Sequence, residues 1–306
     1  MKVSFILPAY KAKFLSLAID SILSQSYGNF ELIIVDDHSP EDIKGIVDRY
    51  NDDRITYYRN AVNIGGKSLV QQWNHCIEFA SGDYLVLAAD DDVYEPDFLK
   101  EMISLVQKHP KVDVLRARVK EIDEEGKLLG LDGMIAEYCS MAEYIYHWRR
   151  ATIMICIGNY MFKTATIKEK KFIDFPSAFC SDIASIINLA AAGVVNSSDY
   201  LFNFRKSTIH LSSSNTQLEK KLEANNQFYE WMLSLQIPLG NTEIDRFIHA
   251  QISEDNLLEK CRYDYYNQIF KFLPVGKLSL IENFKFLSNK QKFKMIFRYF
   301  FDKIFR

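Results

Sequence analysis

A chain of 306 residues, 48% hydrophobic and 25% charged, can bury a large core and leaves room for one big domain with an appendage. Its net charge of −3 sets up no overall field that would attract nucleic acid, so none is expected as a partner. Five scattered cysteines, Cys76, Cys139, Cys156, Cys180 and Cys261, with no CxxC pair, argue against a disulfide framework or a zinc site and fit a reducing cytoplasm.

The opening MKVSFILPAY has one lysine before a short apolar run, too short for a signal peptide. No window reaches 18 consecutive apolar residues, so no transmembrane helix is expected and the location is read as cytoplasmic. VSFILP (3–8), FELIIVDD (30–37), ITYYR (55–59) and YLVLAA (84–89) read as strands. Between them lie helical patterns. AKFLSLAIDSILSQS has apolar residues at 14, 15, 18, 19, 22 and 23. PEDIKGIVDRY follows Ser39 as expected N-cap, with Pro40 at the first helical position. GGKSLVQQWNHCIEFA and EPDFLKEMISLVQKH are the third and fourth helices. Strands apolar throughout, alternating with helices, predict a parallel sheet covered on both faces. In such a sheet the ligand crevice lies at the carboxyl ends of the strands. Pro8-Ala9-Tyr10, Asp36-Asp37 and Asp90-Asp91-Asp92 each follow a predicted strand and so should open on one edge.

Beyond residue 111 the pattern is weaker. VDVLRARVKEI followed by DEEGKLL reads as a strand and turn, and MAEYIYHWRR as a helix. ATIMICIGNYMFK reads as extended, CSDIASIINLAAAG as a helix stopping at Gly193, and VVNSSDYLFNFRKS as a strand. From about 216 the chain is helical. We place a boundary near 215, giving residues 1–215 and 216–306, with no internal repeats. Residues 283–306 carry seven Lys/Arg against one Asp, with Phe293, Ile296, Phe297, Phe300 and Ile304 on one helical face. That is the pattern of an interfacial helix on anionic lipid, or of a helix docked on its own domain with a basic outer face.

A run of three aspartates after an apolar strand is a solvated turn, a holder of Mn2+ or Mg2+ through oxygen ligands, or the source of a general base. No GxGxxG, GxxxxGK[ST] or HExxH motif occurs, which disfavours nicotinamide enzymes, P-loop proteins and zinc proteases.

In VSFILPAYKA, SILSQSYGNFELIIVDDHSPED, NIGG, SGDYLVLAADDDVYEPDFL and CSDIASIINLAAAG, in that order and spacing, the chain resembles the family 2 glycosyltransferases. These are inverting enzymes of the GT-A fold, an α/β architecture with a mainly parallel central sheet flanked by helices, that use nucleotide-sugar donors. The resemblance covers roughly residues 1–215, with a helical extension beyond. It implies that Pro8, Ala9 and Tyr10 line the base and ribose pocket. Asp37 would accept a hydrogen bond from a pyrimidine imide, a group uracil offers and cytosine lacks. Asn63, Gly65 and Lys67 would lie in the loop near the nucleotide. Asp91 would be the direct metal ligand on the diphosphate, and Asp90 would contact the ribose or a metal-bound water. The commonest family form has an aspartate where this chain has Ala89. Asp182 would be the general base, at a motif that carries Ser181 in place of a first acid. Arg205, Lys206 and His210 would approach the leaving diphosphate, and His210 would join Asp91 and Asp90 as a metal ligand. The implied partners are a nucleotide-sugar donor, a glycan or lipid-linked acceptor and, through the C-terminal helix, the anionic inner face of the membrane. The rivals are a non-catalytic nucleotide-sugar or glycan binder and a sugar-nucleotide nucleotidyltransferase. The latter would want glycines after the first strand, which PAYKAKF lacks.

Overall fold

Period-two burial builds the sheet. In Val3–Ala9 (β1), Val3, Phe5, Leu7 and Ala9 enter one core and Ile6 enters another on the opposite face. Phe30–Asp36 (β2) repeats this, Leu32 and Ile34 against Ile33 and Val35, and Tyr84–Leu87 (β4) does so with Val86 against Leu85 and Leu87. Continuously apolar strands are therefore wetted on neither face, as their sequences predict.

The computed structural model describes residues 1–207 and 217–305. The remaining strands are β3 (Ile55–Arg59), β5 (Val93–Tyr94), β6 (Val114–Ile122), β7 (Leu128–Leu131), β8 (Tyr138–Cys139), β9 (Tyr160–Lys163) and β10 (Val194–Arg205). They form one sheet in the order β3-β2-β1-β4-β9-β6-β10-β5, with β7 paired to β6 and β8 to β10. The helices are α1 (Leu15–Leu23), α2 (Ile43–Val47), α3 (Leu69–Cys76), α4 (Phe98–Lys108), α5 (Met141–Arg149), α6 (Thr164–Lys170), α7 (Ser181–Leu189), α8 (Leu218–Ser234), α9 (Glu243–Gln251), α10 (Glu254–Asp264) and α11 (Asn289–Phe305). α1, α2 and α4 cover one face of the sheet, and α3 with α5–α8 cover the other.

β1 runs parallel to β2 and β4, and β2 to β3. The sheet is parallel over β3-β2-β1-β4, and its antiparallel pairs, β9 with β4 and β6, β5 and β8 with β10, and β7 with β6, lie further along. ATIMICIGNYMFK contributes only its last four residues to the ladder. β4 ends at Leu87, leaving Ala88 and Ala89 outside it. The second helix shrinks to five residues capped by Asp42, which accepts from the Gly45 N–H at 2.9 Å. Ser39 is not its cap. It accepts no helical N–H but donates through Oγ to the Tyr10 carbonyl at 2.6 Å, while its N–H donates to Asp36 at 2.8 Å.

The C-terminal helices pack into the core under the sheet. Leu222, Phe228, Tyr229 and Met232 of α8 join the cluster that contains Trp148, Phe175 and Ile186. The Phe228 ring stands edge-on to Trp148 at 5.4 Å between centroids and to Phe175 at 6.3 Å. Substituting Phe228 by Ala should cost about 3–5 kcal/mol. It should shift one shared urea transition, read together by far-UV circular dichroism and by fluorescence of Trp148 and Trp231. Two separate transitions would instead make residues 217–305 an independently folding unit.

Candidate functional site

The β1, β2 and β4 ends meet as the sheet order requires. Ala9 lies opposite Asp36 in register, and the Asp37 N–H donates to the Ala9 carbonyl at 3.0 Å. From β4, one carboxylate oxygen of Asp90 accepts the N–H groups of Tyr10 (2.9 Å) and Lys11 (2.8 Å). Tyr10 is exposed and Pro8 half-buried, whereas Ala9 turns its methyl into the core and offers the crevice only backbone.

The two acids after β2 have different surroundings. Asp36 is fully buried, accepting from the Ser39 N–H, from the Tyr57 hydroxyl at 2.7 Å and from Arg59. That carboxylate is committed to structure. Burial, followed by the hydrogen bond to Asp36, pushes the Tyr57 hydroxyl up to about 12. Asp37 instead holds the loop after β3. Its Oδ1 accepts Asn60 Nδ2 and the Ile64 N–H, both at 2.8 Å, and its Oδ2 accepts the Gly65 N–H at 2.7 Å. A carboxylate offers about four acceptor positions, so Oδ2 retains one for an incoming N–H donor. A Cβ at Gly65 would fall 2.8 Å from that same Oδ2, which accounts for the glycine. Asn63 closes the turn by accepting the Gly66 N–H at 2.5 Å, and Lys67 is exposed at the mouth of a neighbouring hollow with Asp174 and Pro176.

Asn60 is a residue that the sequence reading missed. It joins Asp37 to Gln72 of α3, donating to the amide oxygen at 2.9 Å. The signal was present, because Asn60 directly follows β3, as the other site residues follow β1, β2 and β4.

The triplet is neither a solvated turn nor a set of helix caps. Asp91 and Asp92 are buried and Asp90 is half-buried. Burial first, and the Asp91 charge as well, push the Asp90 carboxyl up to about 6, against the Lys11 and Tyr10 N–H groups that favour its ionised form. Burial and the same neighbour push Asp92 up strongly, although it accepts the Arg205 N–H at 2.9 Å. Arg205 itself is buried. Its Nε donates to the Asp91 carbonyl (2.9 Å) and its Nη1 to the carbonyls of Asp123 (3.0 Å) and Glu124 (2.9 Å), with the Phe14 ring 4.6 Å away. Its guanidinium thus supports the acid loop from beneath. Among the described residues no group of three or more His, Cys, Asp or Glu is arranged to hold a metal. His210 lies outside the described residues.

Asp182 occupies the first turn of α7 and is half-buried. Burial pushes its carboxyl up to about 6, with the Ile183 N–H, donating at 2.8 Å, pulling the other way. It does not cap the helix. The N-cap is Cys180, in the left-handed region at φ 64°, and Ser177 and Ala178 share that conformation at 55° and 57°. Left-handed non-glycine residues cost about 1–3 kcal/mol each and persist where surrounding contacts over-determine them. Here Ser181 supplies the restraint. Its buried Oγ accepts the Phe175 N–H at 3.0 Å, and Ser185 Oγ donates to the Ser181 carbonyl at 2.5 Å while accepting the Ile173 N–H at 2.8 Å. The serine that departs from the family pattern is therefore built into the loop, where a second carboxylate would be buried. The half-buried Cys156 thiol is raised by burial first and then by the charges of Asp92 and Asp182.

The model for glycosyl transferase family 2 matches residues 4–176. That span takes in Asp37 and the triplet and stops short of Asp182. The chain is 36% identical to EpsE of Bacillus subtilis over 129 residues, 41% of this chain and 45% of that protein. It is 32% identical over 108 residues to WfgD of Escherichia coli, a UDP-Glc:alpha-D-GlcNAc-diphosphoundecaprenol beta-1,3-glucosyltransferase, covering 35% of this chain and 42% of that one. The chain thus spans under half the length of these curated relatives. In fold it is similar to residues 1–349 of Staphylococcus aureus TarS in complex with UDP-GlcNAc, with a TM-score of 0.72 at 18% identity over 95% of this chain and 83% of that one.

Because its Cβ would press on a carboxylate already fixed by three donors, Gly65→Ala should destabilise the protein by about 1–3 kcal/mol. A denaturation midpoint equal to wild type would show that the 63–66 turn gives way freely.

Proposed function

The chain belongs to glycosyl transferase family 2, and from that membership we propose that it is an inverting glycosyltransferase moving a sugar from a UDP-linked donor to a glycan or lipid-linked acceptor in cell-surface polysaccharide synthesis. The observation that carries this reading is the family match over residues 4–176, which takes in Asp37 and the acid run after β4, together with Asp182 in the first turn of α7. Inversion needs a base on one side of the anomeric carbon and charge stabilisation for the diphosphate on the other.

Asp37 takes the uracil imide N–H on its remaining acceptor position, with the 63–66 turn and Tyr10 beside the nucleoside. A uridine specificity follows, because the acceptor-only carboxylate meets no donor on cytosine N3. Asp91 would hold Mn2+ or Mg2+, and Asp90 would face the ribose while it braces Tyr10 and Lys11. Such a cation supplies Lewis-acid neutralisation of the diphosphate. Arg205 and Asp92 fix where Asp91 stands, so their contribution is positional. Asp182, raised toward neutrality by burial, accepts the proton of the acceptor hydroxyl as that oxygen attacks the anomeric carbon and the C–O bond to the diphosphate breaks. The relatives' names support this reading. WfgD is named for a UDP-sugar and a lipid diphosphate acceptor, and TarS binds UDP-GlcNAc. The lipid-linked acceptor class is further supported by the basic aromatic α11, which would meet an anionic membrane surface on the cytoplasmic side.

Asp182→Asn should lower kcat by about 10²–10⁴ while leaving UDP binding intact, measured as donor hydrolysis with Mn2+ and as thermal shift with UDP. Unchanged hydrolysis in the variant would remove Asp182 from the chemistry. Wild-type inactivity across UDP-sugars, with UDP still bound, would leave a binding protein. The base works only when ionised, so kcat/KM should fall as pH drops through about 6, in proportion to the deprotonated fraction. A flat profile across that range would count against the assignment. Asp91→Ala should be the most damaging change in the triplet and should abolish the Mn2+ dependence of UDP binding. Persistence of that dependence in the variant would transfer the ligand role to a neighbour.

A further inference from the structure

The last helix divides its surface in a way its sequence does not announce. α11 docks on the body of the protein through Met295 and Tyr299, which are buried, and through half-buried Ile296 and Asp302. The Tyr299 hydroxyl donates to the Leu273 carbonyl at 2.6 Å, and the Tyr266 hydroxyl donates to Asp302 at 2.5 Å. Ile296, expected on the outer apolar stripe, thus belongs to the docked side. The opposite side carries Phe293, Phe297, Phe300, Phe301 and Ile304, from 43% to 73% exposed. These positions fall within one sector at 100° per residue. Exposed Lys290 falls inside that sector, with exposed Lys294 on one flank and exposed Lys303 on the other, while the Arg298 guanidinium lies 3.9 Å from the centre of the Tyr266 ring. The sole acid of the helix, Asp302, is turned inward on Tyr266.

We infer that this face is an in-plane lipid-binding surface, with the aromatic side chains seated at the acyl–headgroup boundary and Lys290, Lys294 and Lys303 on anionic headgroups. Large exposed apolar surfaces mark an interaction site, because monomeric proteins rarely leave them in water. The helix does not cross the bilayer, because it spans 17 residues and carries charges along its length. Among the described residues no helix is long and apolar enough to do so. A second copy of the chain fits less well. Isologous pairing through this face would bring the two sets of basic flanks together, whereas anionic lipid neutralises them. The docked side makes the arrangement rigid, so the body of the enzyme is held at a fixed attitude to the surface. The inference deepens the membrane part of the proposed function, yet its test does not depend on sugar transfer.

The test is flotation of the full chain with vesicles of phosphatidylcholine alone or mixed with phosphatidylglycerol, over a range of salt. Binding is expected only with phosphatidylglycerol and should weaken as salt rises. Lys290→Gln and Lys294→Gln should each lower partitioning about fivefold, the effect of one basic residue near an anionic surface. The double variant Phe293→Glu/Phe297→Glu should lose flotation while its melting temperature and UDP thermal shift stay at wild-type values, since both positions are exposed. Flotation retained by that variant, equal binding to phosphatidylcholine alone, or a wild-type dimer in solution that the variant abolishes would each overturn the inference.

Discussion

Arg205 carries its guanidinium beneath the loop after β4, bound to the carbonyls of Asp91, Asp123 and Glu124, while its own N–H donates to Asp92. From the other side the N–H groups of Tyr10 and Lys11 converge on Asp90. Three consecutive carboxylates at a strand end repel one another and resist burial. They stay in place because backbone donors from β1 and β10 and one buried cation hold the loop on both sides. Burial first, and the Asp91 charge after it, raise the carboxyls of Asp90 and Asp92.

The head of α7 depends on a second set of supports, drawn from the far end of the chain. Ser181 and Ser185 lock the strained 177–180 turn. Behind it, Tyr229 of α8 donates to Asp264 of α10 at 2.7 Å, and Lys260 pairs with the same carboxylate. The Cys180 thiol, raised first by burial, lies close enough to feel the Asp264 charge. Phe228 presses on Trp148 and Phe175 in the same layer. The helices after residue 217 are therefore part of what positions Asp182. They also carry α11 and its aromatic face, so one packed layer connects Asp182 to the surface proposed to meet lipid.

Much of the N-terminal half was legible in the sequence, because its strands are apolar on both faces and its site residues follow those strands directly. Asp37, the triplet and Asp182 stand out by type and position alone. Less legible were the hydrogen-bond partners that separate the two adjacent acids. Asp36 and Asp37 differ only in the direction their side chains leave the end of β2. One enters a cage of Ser39, Tyr57 and Arg59, and the other the 63–66 turn. Ser39 reads as a helix cap because Ser before Pro and acids is a good local start signal. Its hydroxyl was nevertheless taken by the β1 end, a contact 29 residues away.

What the sequence determined by itself was the layered α/β core and the chemical types gathered at its edge, because both follow from local periodicity and from the rule that parallel strands end together. The tertiary structure decided how those groups are used. Hydrogen bonds between residues tens of positions apart tie Asp36 to Tyr57 and Arg59, and Asp37 to Asn60, Ile64 and Gly65. Burial raised Asp182 toward neutrality. Docking by Met295 and Tyr299 chose which face of α11 remains outside. Each outcome depends on non-local contacts and desolvation, which no local pattern encodes.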